Sequence, residues 1–356
     1  MDRVFLSNTK GVEFKFIQTP NTFKVKENSK IKLHKKGDYR LLEVIKSSIS
    51  TMEMVDYLSE VLKIKQSDIG YAGLKDKHAT TSQYITVPKY VNIKKFKNTQ
   101  RVTLKELGFC SDRLRVGSLE SNSFEIILQD VTNEGFLELE KAFNKIVKLG
   151  FANFFGYQRF GSLDDSYLKG KKIAYSGKGS KNQNSKILLA AYQAKLFNKW
   201  LNRRLEISKS ITQDNEDRLL KQLSPTLLKE LKNQESIFKL LPGDLGYFYK
   251  KGKKSFEIVN DIKKYTNSFT AKKFHITGVL FGSSVRLSTS VAGRVEREFI
   301  DYSFDALRGA RRDAWIFVKD AKIEFNKKRQ EATLYFTLPP GSYATVLLEE
   351  LLNRTF

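Results

Sequence analysis

The stretch YAGLKDKHATTSQ, Tyr71 to Gln83, sets one carboxylate, Asp76, between Lys75 and Lys77, with His78 beside them and Gly73 shortly before. Segments of different periodicity flank it. Upstream, Ser50 is followed three residues on by Glu53, a capping-box arrangement that predicts a helix over 50–62. Met52, Val55, Leu58 and Leu62 recur there at helical spacing and are expected to face a core. Downstream, Tyr84, Thr86 and Pro88 alternate with Ile85 and Val87, which predicts a short strand ended by proline. Taken alone, an Asp between two lysines reads as a solvated turn whose charges balance. A catalytic reading needs support from the rest of the chain.

Outward toward the N-terminus, residues 13–25 (EFKFIQTPNTFKV) alternate in part and are aromatic-rich, predicting strands interrupted at Thr19-Pro20-Asn21. Residues 31–45 continue in the same way, with a turn expected at Gly37-Asp38. On the other side, lysine-rich 91–100 reads as a surface loop or short helix. Residues 121–129 (SNSFEIILQ) predict a strand whose period of two puts Asn122, Phe124, Ile126 and Leu128 on one face. A helix is expected over 133–149, with Phe136, Leu139, Phe143 and Ile146 in register and a stop at Gly150. The aromatic and glycine-rich FANFFGYQRFG, 151–161, follows it.

From Ser162 the character changes. Residues 169–186 are polar, basic and glycine-dotted, and are expected to form a flexible connection or an RNA-facing loop. Helical patterns follow at 187–208 and, split by Pro225, at 214–241, and then a turn-like section at 242–254. Strand periodicity returns at 314–325 and 331–338, joined by a basic turn at 326–329. Pro339-Pro340-Gly341 then breaks the chain, and Ser342 is expected to cap a final helix through Leu352. A hairpin plus one helix is too small to bury its apolar face, so these pieces should complete the sheet begun by 1–161. The expected organisation is an α+β domain with a mostly antiparallel mixed sheet, discontinuous over 1–161 and 303–356. A largely helical α/β unit, 162–302, is inserted into it.

Composition narrows the function. The 356 residues are 40% hydrophobic and 29% charged, as in a folded chain with room for more than one core. Lysine and arginine number 63 against 39 acidic residues, a net charge of +24 that attracts a polyanion, nucleic acid before all others. Bulk basicity serving solubility is the bland alternative. With one cysteine, Cys110, and three histidines, His34, His78 and His275, an internal disulfide and a Cys/His zinc cluster are excluded. Cys110 should act as a small buried or half-buried hydrophobe. The N-terminus lacks signal-peptide character and no apolar run is long enough for a bilayer, so the cytoplasm is the expected compartment. Neither a phosphate-cradling glycine loop nor a strand-linked G-x-G-x-x-G is present, which argues against nucleotide hydrolysis and methyl transfer. Basic and aromatic residues together suit RNA, which is bound by phosphate contacts and by stacking.

Four stretches in this order and spacing, YAGLKDKHATTSQ (71–83), LRVGSLESNSFEIIL (114–128), NFFGYQRFG (153–161) and LPPGSYATVLLEEL (338–351), resemble the TruD family of tRNA pseudouridine synthases. FKVKE, Phe23 to Glu27, is similar to that family's N-terminal Phe-x-Val-x-Glu element, while 162–302 matches weakly, as the family's divergent insertion does. The resemblance implies isomerisation of a tRNA uridine, at position 13 in bacterial members, with the base flipped and with no cofactor or metal. It maps the catalytic aspartate onto Asp76 and the active-site Asn-x-Phe pair onto Asn122 and Phe124. Lys75, Lys77, Gln83, Arg159 and Phe160 match motif positions, for RNA contact or support of the loop. The family's lysine six residues before the N-terminal phenylalanine is Ile17 here, and Lys15, on the same side of a strand, is the candidate substitute. The rival reading is a non-catalytic RNA-binding protein using the same basic cleft.

Overall fold

The chain runs β1 (Phe23–Asn28), β2 (Tyr39–Ser47), α1 (Thr51–Leu62), β3 (Gly70–Tyr71), β4 (Thr80–Pro88), β5 (Val102–Cys110), β6 (Ser121–Leu128) and α2 (Asn133–Leu149). It continues through β7 (Phe151–Ala152), α3 (Ser166–Tyr175), α4 (Gln183–Gln213), α5 (Pro225–Lys232), β8 (Leu245–Lys250), β9 (Lys253–Ile258), α6 (Ile262–Thr270), β10 (Phe274–Leu280) and α7 (Ser290–Arg297). Last come β11 (Ala310–Asp313), β12 (Trp315–Ile316), β13 (Lys319–Asn326), β14 (Glu331–Leu338) and α8 (Ala344–Leu352). This computed structural model describes residues 3–6, 11–29, 31–161, 165–176, 182–301 and 307–356. It divides into two compact units, one of residues 12–141 with 318–341 and one of residues 1–11, 142–317 and 342–356. The sequence-based boundaries at 161/162 and 302/303 fall inside the latter.

The unit of 12–141 and 318–341 is built on an eight-stranded sheet ordered β13-β14-β6-β1-β4-β2-β5, with β3 added on β4. Every pairing is antiparallel except β1 with β4. Two distant parts of the chain thus share one sheet, as the size argument required. α1 covers one face of it. The capping box forms as expected, the Ser50 hydroxyl accepting from the Glu53 N–H and the Glu53 carboxylate from the Ser50 N–H. Its buried face is Met54, Val55, Leu58 and Leu62, packed on Leu42, Val44, Ile85 and Val87, and each such burial contributes about 1.5–3 kcal/mol. Met52 is 44% exposed instead of facing the core. Met52 and Met54 are two residues apart, about 200° around a helix of 3.6 residues per turn, so they lie on nearly opposite sides of α1.

Other departures have local causes. In residues 13–25 only β1 is a strand, and Lys15 makes an isolated bridge with Gln129. The segment 169–175, expected as loop, is the body of α3, where Gly170 lets α4 approach so closely that a Cβ there would lie 2.0 Å from the Leu188 carbonyl oxygen. Part of the expected 169–186 loop, 177–181, lies outside the described residues. In 214–241 only α5 is an α-helix, and 242–254 holds β8, the hairpin turn and the start of β9. The stretch 314–325 is split between β12 and β13. The residue at the N-cap of α8 is Tyr343, with no side-chain cap, and the Ser342 hydroxyl makes no hydrogen bond. Cys110 is buried, as expected.

The other unit pairs long α4 with a four-stranded antiparallel sheet ordered β11-β10-β8-β9, so this region carries strands as well as helices. Arg204, wholly buried on α4, donates to both carboxylate oxygens of Asp244 at 2.5 and 2.9 Å. Among the described residues, no helix is long and apolar enough to cross a membrane.

Candidate active site

The loop carrying Asp76 connects β3 to β4 and is fastened from several sides. Lys46, next to last in β2, is in phase with Leu42 and Val44, so the alternation of the strand drives its side chain inward, and it is wholly buried. Its ammonium donates to the Ile49 carbonyl at 2.6 Å and to the Asp76 carbonyl at 2.8 Å. The buried Thr51 hydroxyl, in the first turn of α1, accepts from the Lys75 N–H at 2.8 Å and donates to Gln83 Oε1 at 3.1 Å. The Ala72 carbonyl accepts from the Gly117 N–H at 2.8 Å. Strand, helix and loop hydrogen bonds together hold the backbone on both sides of Asp76.

Beside the loop, strand register lays out the remaining side chains. Phe124 lies opposite Val25 on β1 and Phe336 on β14, and it stacks on Phe336 with ring centroids 5.3 Å apart. Two residues back on β6, Asn122 lies opposite Glu27 on β1. Lys75 reaches both. Its ammonium donates to Asn122 Oδ1 at 2.9 Å and pairs with the Glu27 carboxylate at 2.9 Å, the latter without the alignment of a hydrogen bond. Side chains of Lys75 and Glu27 are 6% and 0% exposed, so this is a desolvated pair whose members depend on each other.

Two surroundings act on Asp76. It is exposed, yet its carboxyl is held above the usual carboxylate range, chiefly because the protein crowded around it thins its water shell. Lys46 and then Lys75 oppose that rise, followed by a backbone hydrogen bond and His78. Burial pushes the Lys46 ammonium down to about 8, with Asp76 pulling the other way. Glu27 is likewise raised, by burial against the pull of Lys75. Lys77 turns aside to Glu53, at 2.7 Å, and this bond, followed by those from Ser50, holds the Glu53 carboxyl down at about 2.

The fold therefore brings Asp76, Lys75, Asn122, Phe124 and Gln83 into one unit, with Lys77 on its surface. Phe124 is buried and Gln83 wholly so. Lys15 is exposed, its backbone exchanging hydrogen bonds with Gln129. Arg159 and Phe160 belong to the other unit, where Arg159 stands 5.6 Å from the Phe155 ring. Phe160 is buried there against Ala191 and Ala194. Sequence reasoning missed Lys46 and Thr51. A lysine in phase with Leu42 and Val44 on a strand was the available signal for the first. Nothing in the sequence distinguishes Thr51 from an ordinary first-turn threonine.

The family model for tRNA pseudouridine synthase D matches residues 2–178 and 225–351. The chain is 37% identical to the tRNA pseudouridine synthase D of Sulfurimonas denitrificans over 363 residues, covering 99% of each. It is 35% identical to that of Wolinella succinogenes over 359 residues, again covering 99% of each. In fold it is similar to a Methanosarcina mazei structure described as a tRNA pseudouridine synthase D, with a TM-score of 0.72 at 21% identity, covering 99% of this chain and 97% of the other. The α+β architecture is thereby that of a pseudouridine synthase, and the matches span both compact units. The chain belongs to the TruD family of tRNA pseudouridine synthases.

Proposed function

We propose that this RNA pseudouridine synthase isomerises the uridine at position 13 of tRNA, with Asp76 as the catalytic carboxylate and with the uracil flipped from its stack to reach it. Breaking N1–C1′, turning the base and joining C5 to C1′ loses the C5 proton and returns one to N1, so the reaction is neutral in atoms and charge. Three first steps suit a carboxylate, namely attack on the sugar, attack on the base, and removal of the C2′ proton. All three use Asp76 ionised. The observation that carries the reading is the exposed Asp76 carboxylate on a loop whose backbone is bonded to buried Lys46 and Thr51. A solvated turn has no need of two buried anchors.

In this reading Asn122, held by Lys75, orients polar groups near Asp76, and Phe124 supplies an apolar wall for the flipped base. Lys77, Gln83, Arg159, Phe160 and Lys15 serve RNA contact or support. The substrate would be met in the cytoplasm, and 162–302 would be the family's insertion. The test is tritium release from tRNA labelled at uridine C5. Release by the parent protein and none by Asp76→Ala supports the proposal. Equal release by both removes Asp76 from its role, and no release by the parent leaves an RNA-binding protein.

A further inference from the structure

The β8–β9 hairpin and the neighbouring β10 expose rings that neither the catalytic loop nor the core of this unit uses. Period-two alternation places Tyr247 and Tyr249 of β8 on one face, and register sets Lys254 opposite Tyr249 and both Phe256 and His275 opposite Tyr247. Tyr249 is 59% exposed and Phe256 38%, while Tyr247 between them is buried. The rings support each other. Tyr247 stacks on His275 with centroids 4.9 Å apart and 10° between planes, and meets Tyr249 edge-on at 5.3 Å and Phe256 at 5.6 Å. The Tyr247 hydroxyl is bonded to Asp313 at 3.0 Å, and Lys254 Nζ lies 4.1 Å over the Tyr247 ring. The opposite face of the hairpin is occupied by α6, where Phe248 and Phe274 meet Tyr265 at 6.1 and 5.0 Å.

Two large rings held open to water carry a hydrophobic cost, while the ring between them, Tyr247, is buried. Further exposed lysines lie on the neighbouring turn and strand start. Lys251 and Lys253 lie at the hairpin turn, and Lys273 immediately precedes β10. Rings fixed at defined angles and flanked by ammonium groups, among them Lys254 with Asp313 3.5 Å from its Nζ, match a strand of unpaired nucleotides. Each base offers a π-face to a ring, and each phosphate offers a charge to a lysine. A protein partner would be met by a drier and less cationic surface.

We infer that this face is a stacking platform for unpaired RNA nucleotides, with Tyr249 and Phe256 taking the bases and Lys254 and Lys273 the phosphates. It deepens the proposed function by naming a second place where a tRNA loop or end is held, and it rests on that reading only for the identity of the RNA.

The test is binding, kept apart from turnover by using Asp76→Asn protein. Tyr249→Trp places an indole on the face, and an unstructured RNA oligonucleotide should quench its fluorescence while a base-free polyphosphate of equal charge should not. Equal quenching by both would reduce the face to a charge patch and overturn the stacking assignment. Tyr249→Ala with Phe256→Ser should weaken tRNA binding about 100-fold without lowering Tm, each of the two lost stacks being worth about tenfold. Unchanged affinity at unchanged Tm also overturns it. If the double variant loses stability, Tyr249→Ser alone, at the most exposed ring, repeats the comparison. A parent that binds RNA through this face yet releases no tritium would sink the proposed reaction and leave the platform standing.

Discussion

The Lys46 ammonium donates its hydrogen bond to the backbone carbonyl of Asp76, at 2.8 Å, rather than to the carboxylate. A buried cation is thereby spent on the position of the loop, and it acts on the acid through space. Replacing it by methionine keeps the volume and removes the donor. Lys46→Met should lower kcat about 10- to 100-fold with a smaller change in KM, because the carboxylate loses its aim while the RNA surface is intact. A KM defect at unchanged kcat would show that Lys46 serves binding.

The same residue sets a pH dependence of known sign. Its folded pKa, about 8, lies below its unfolded value of 10.5, so the unfolded chain binds more protons between the two. The penalty of burying the charge is in full force below about 8 and is relieved as pH rises toward 10.5, so this group makes stability rise through that window. Activity should move oppositely, falling above pH 8 as the ammonium beside Asp76 is lost. Urea titrations and rates from pH 7 to 10, with Lys46→Met as reference, check both. A parent and variant with the same slope would remove Lys46 from the effect.

Asp76 offers the reverse case. A carboxyl whose pKa is raised on folding is destabilising when ionised, with the cost growing as pH rises through the raised value and absent below the unfolded one. Asp76→Asn should therefore be inactive and have a higher Tm than the parent at pH 7, the gap closing in acid. A lower Tm would mean that Lys46 and Lys75 need the anion more than the fold resents it.

Thr51 is a relay between Gln83 and the Lys75 N–H. Thr51→Val is nearly isosteric and leaves a buried donor and acceptor unpaired, at a cost of about 1–3 kcal/mol. It should lower kcat as well, while Thr51→Ser restores both. Differential scanning calorimetry with single-turnover rates would find a purely structural role if stability falls and kcat stays.

The Glu27–Lys75 pair predicts non-additivity. Lys75→Met strands a buried carboxylate and should cost about 3–5 kcal/mol, more at neutral than at acid pH because the burial that already raises Glu27 is then unopposed by Lys75. Adding Glu27→Gln should recover much of the stability, though not activity, since Asn122 has still lost its donor. Additive denaturation midpoints would contradict the coupling.

What the sequence determined by itself is local or carried by pattern. Ser50 and Glu53 mark a helix start because the capping box is closed within four residues, and β6, α2 and β14 follow from periods of 2 and 3.6. The motif around Asp76 identified the family, and Asn122 with Phe124 share a face because a strand alternates. Contacts made across the sheet were left to the tertiary structure. Met54 rather than Met52 faces the core because the helix phase is set by what α1 packs on. The 169–175 stretch becomes helix because Gly170 admits α4. Lys75 turns from Asp76 toward Glu27 and Asn122 because β1 and β6 are neighbours, a pairing that no spacing within either strand encodes. Lys46 reaches Asp76 only because β2 lies beside β4. Burial then decides its charge, since a lysine has a shifted pKa only where the fold has removed the water around it.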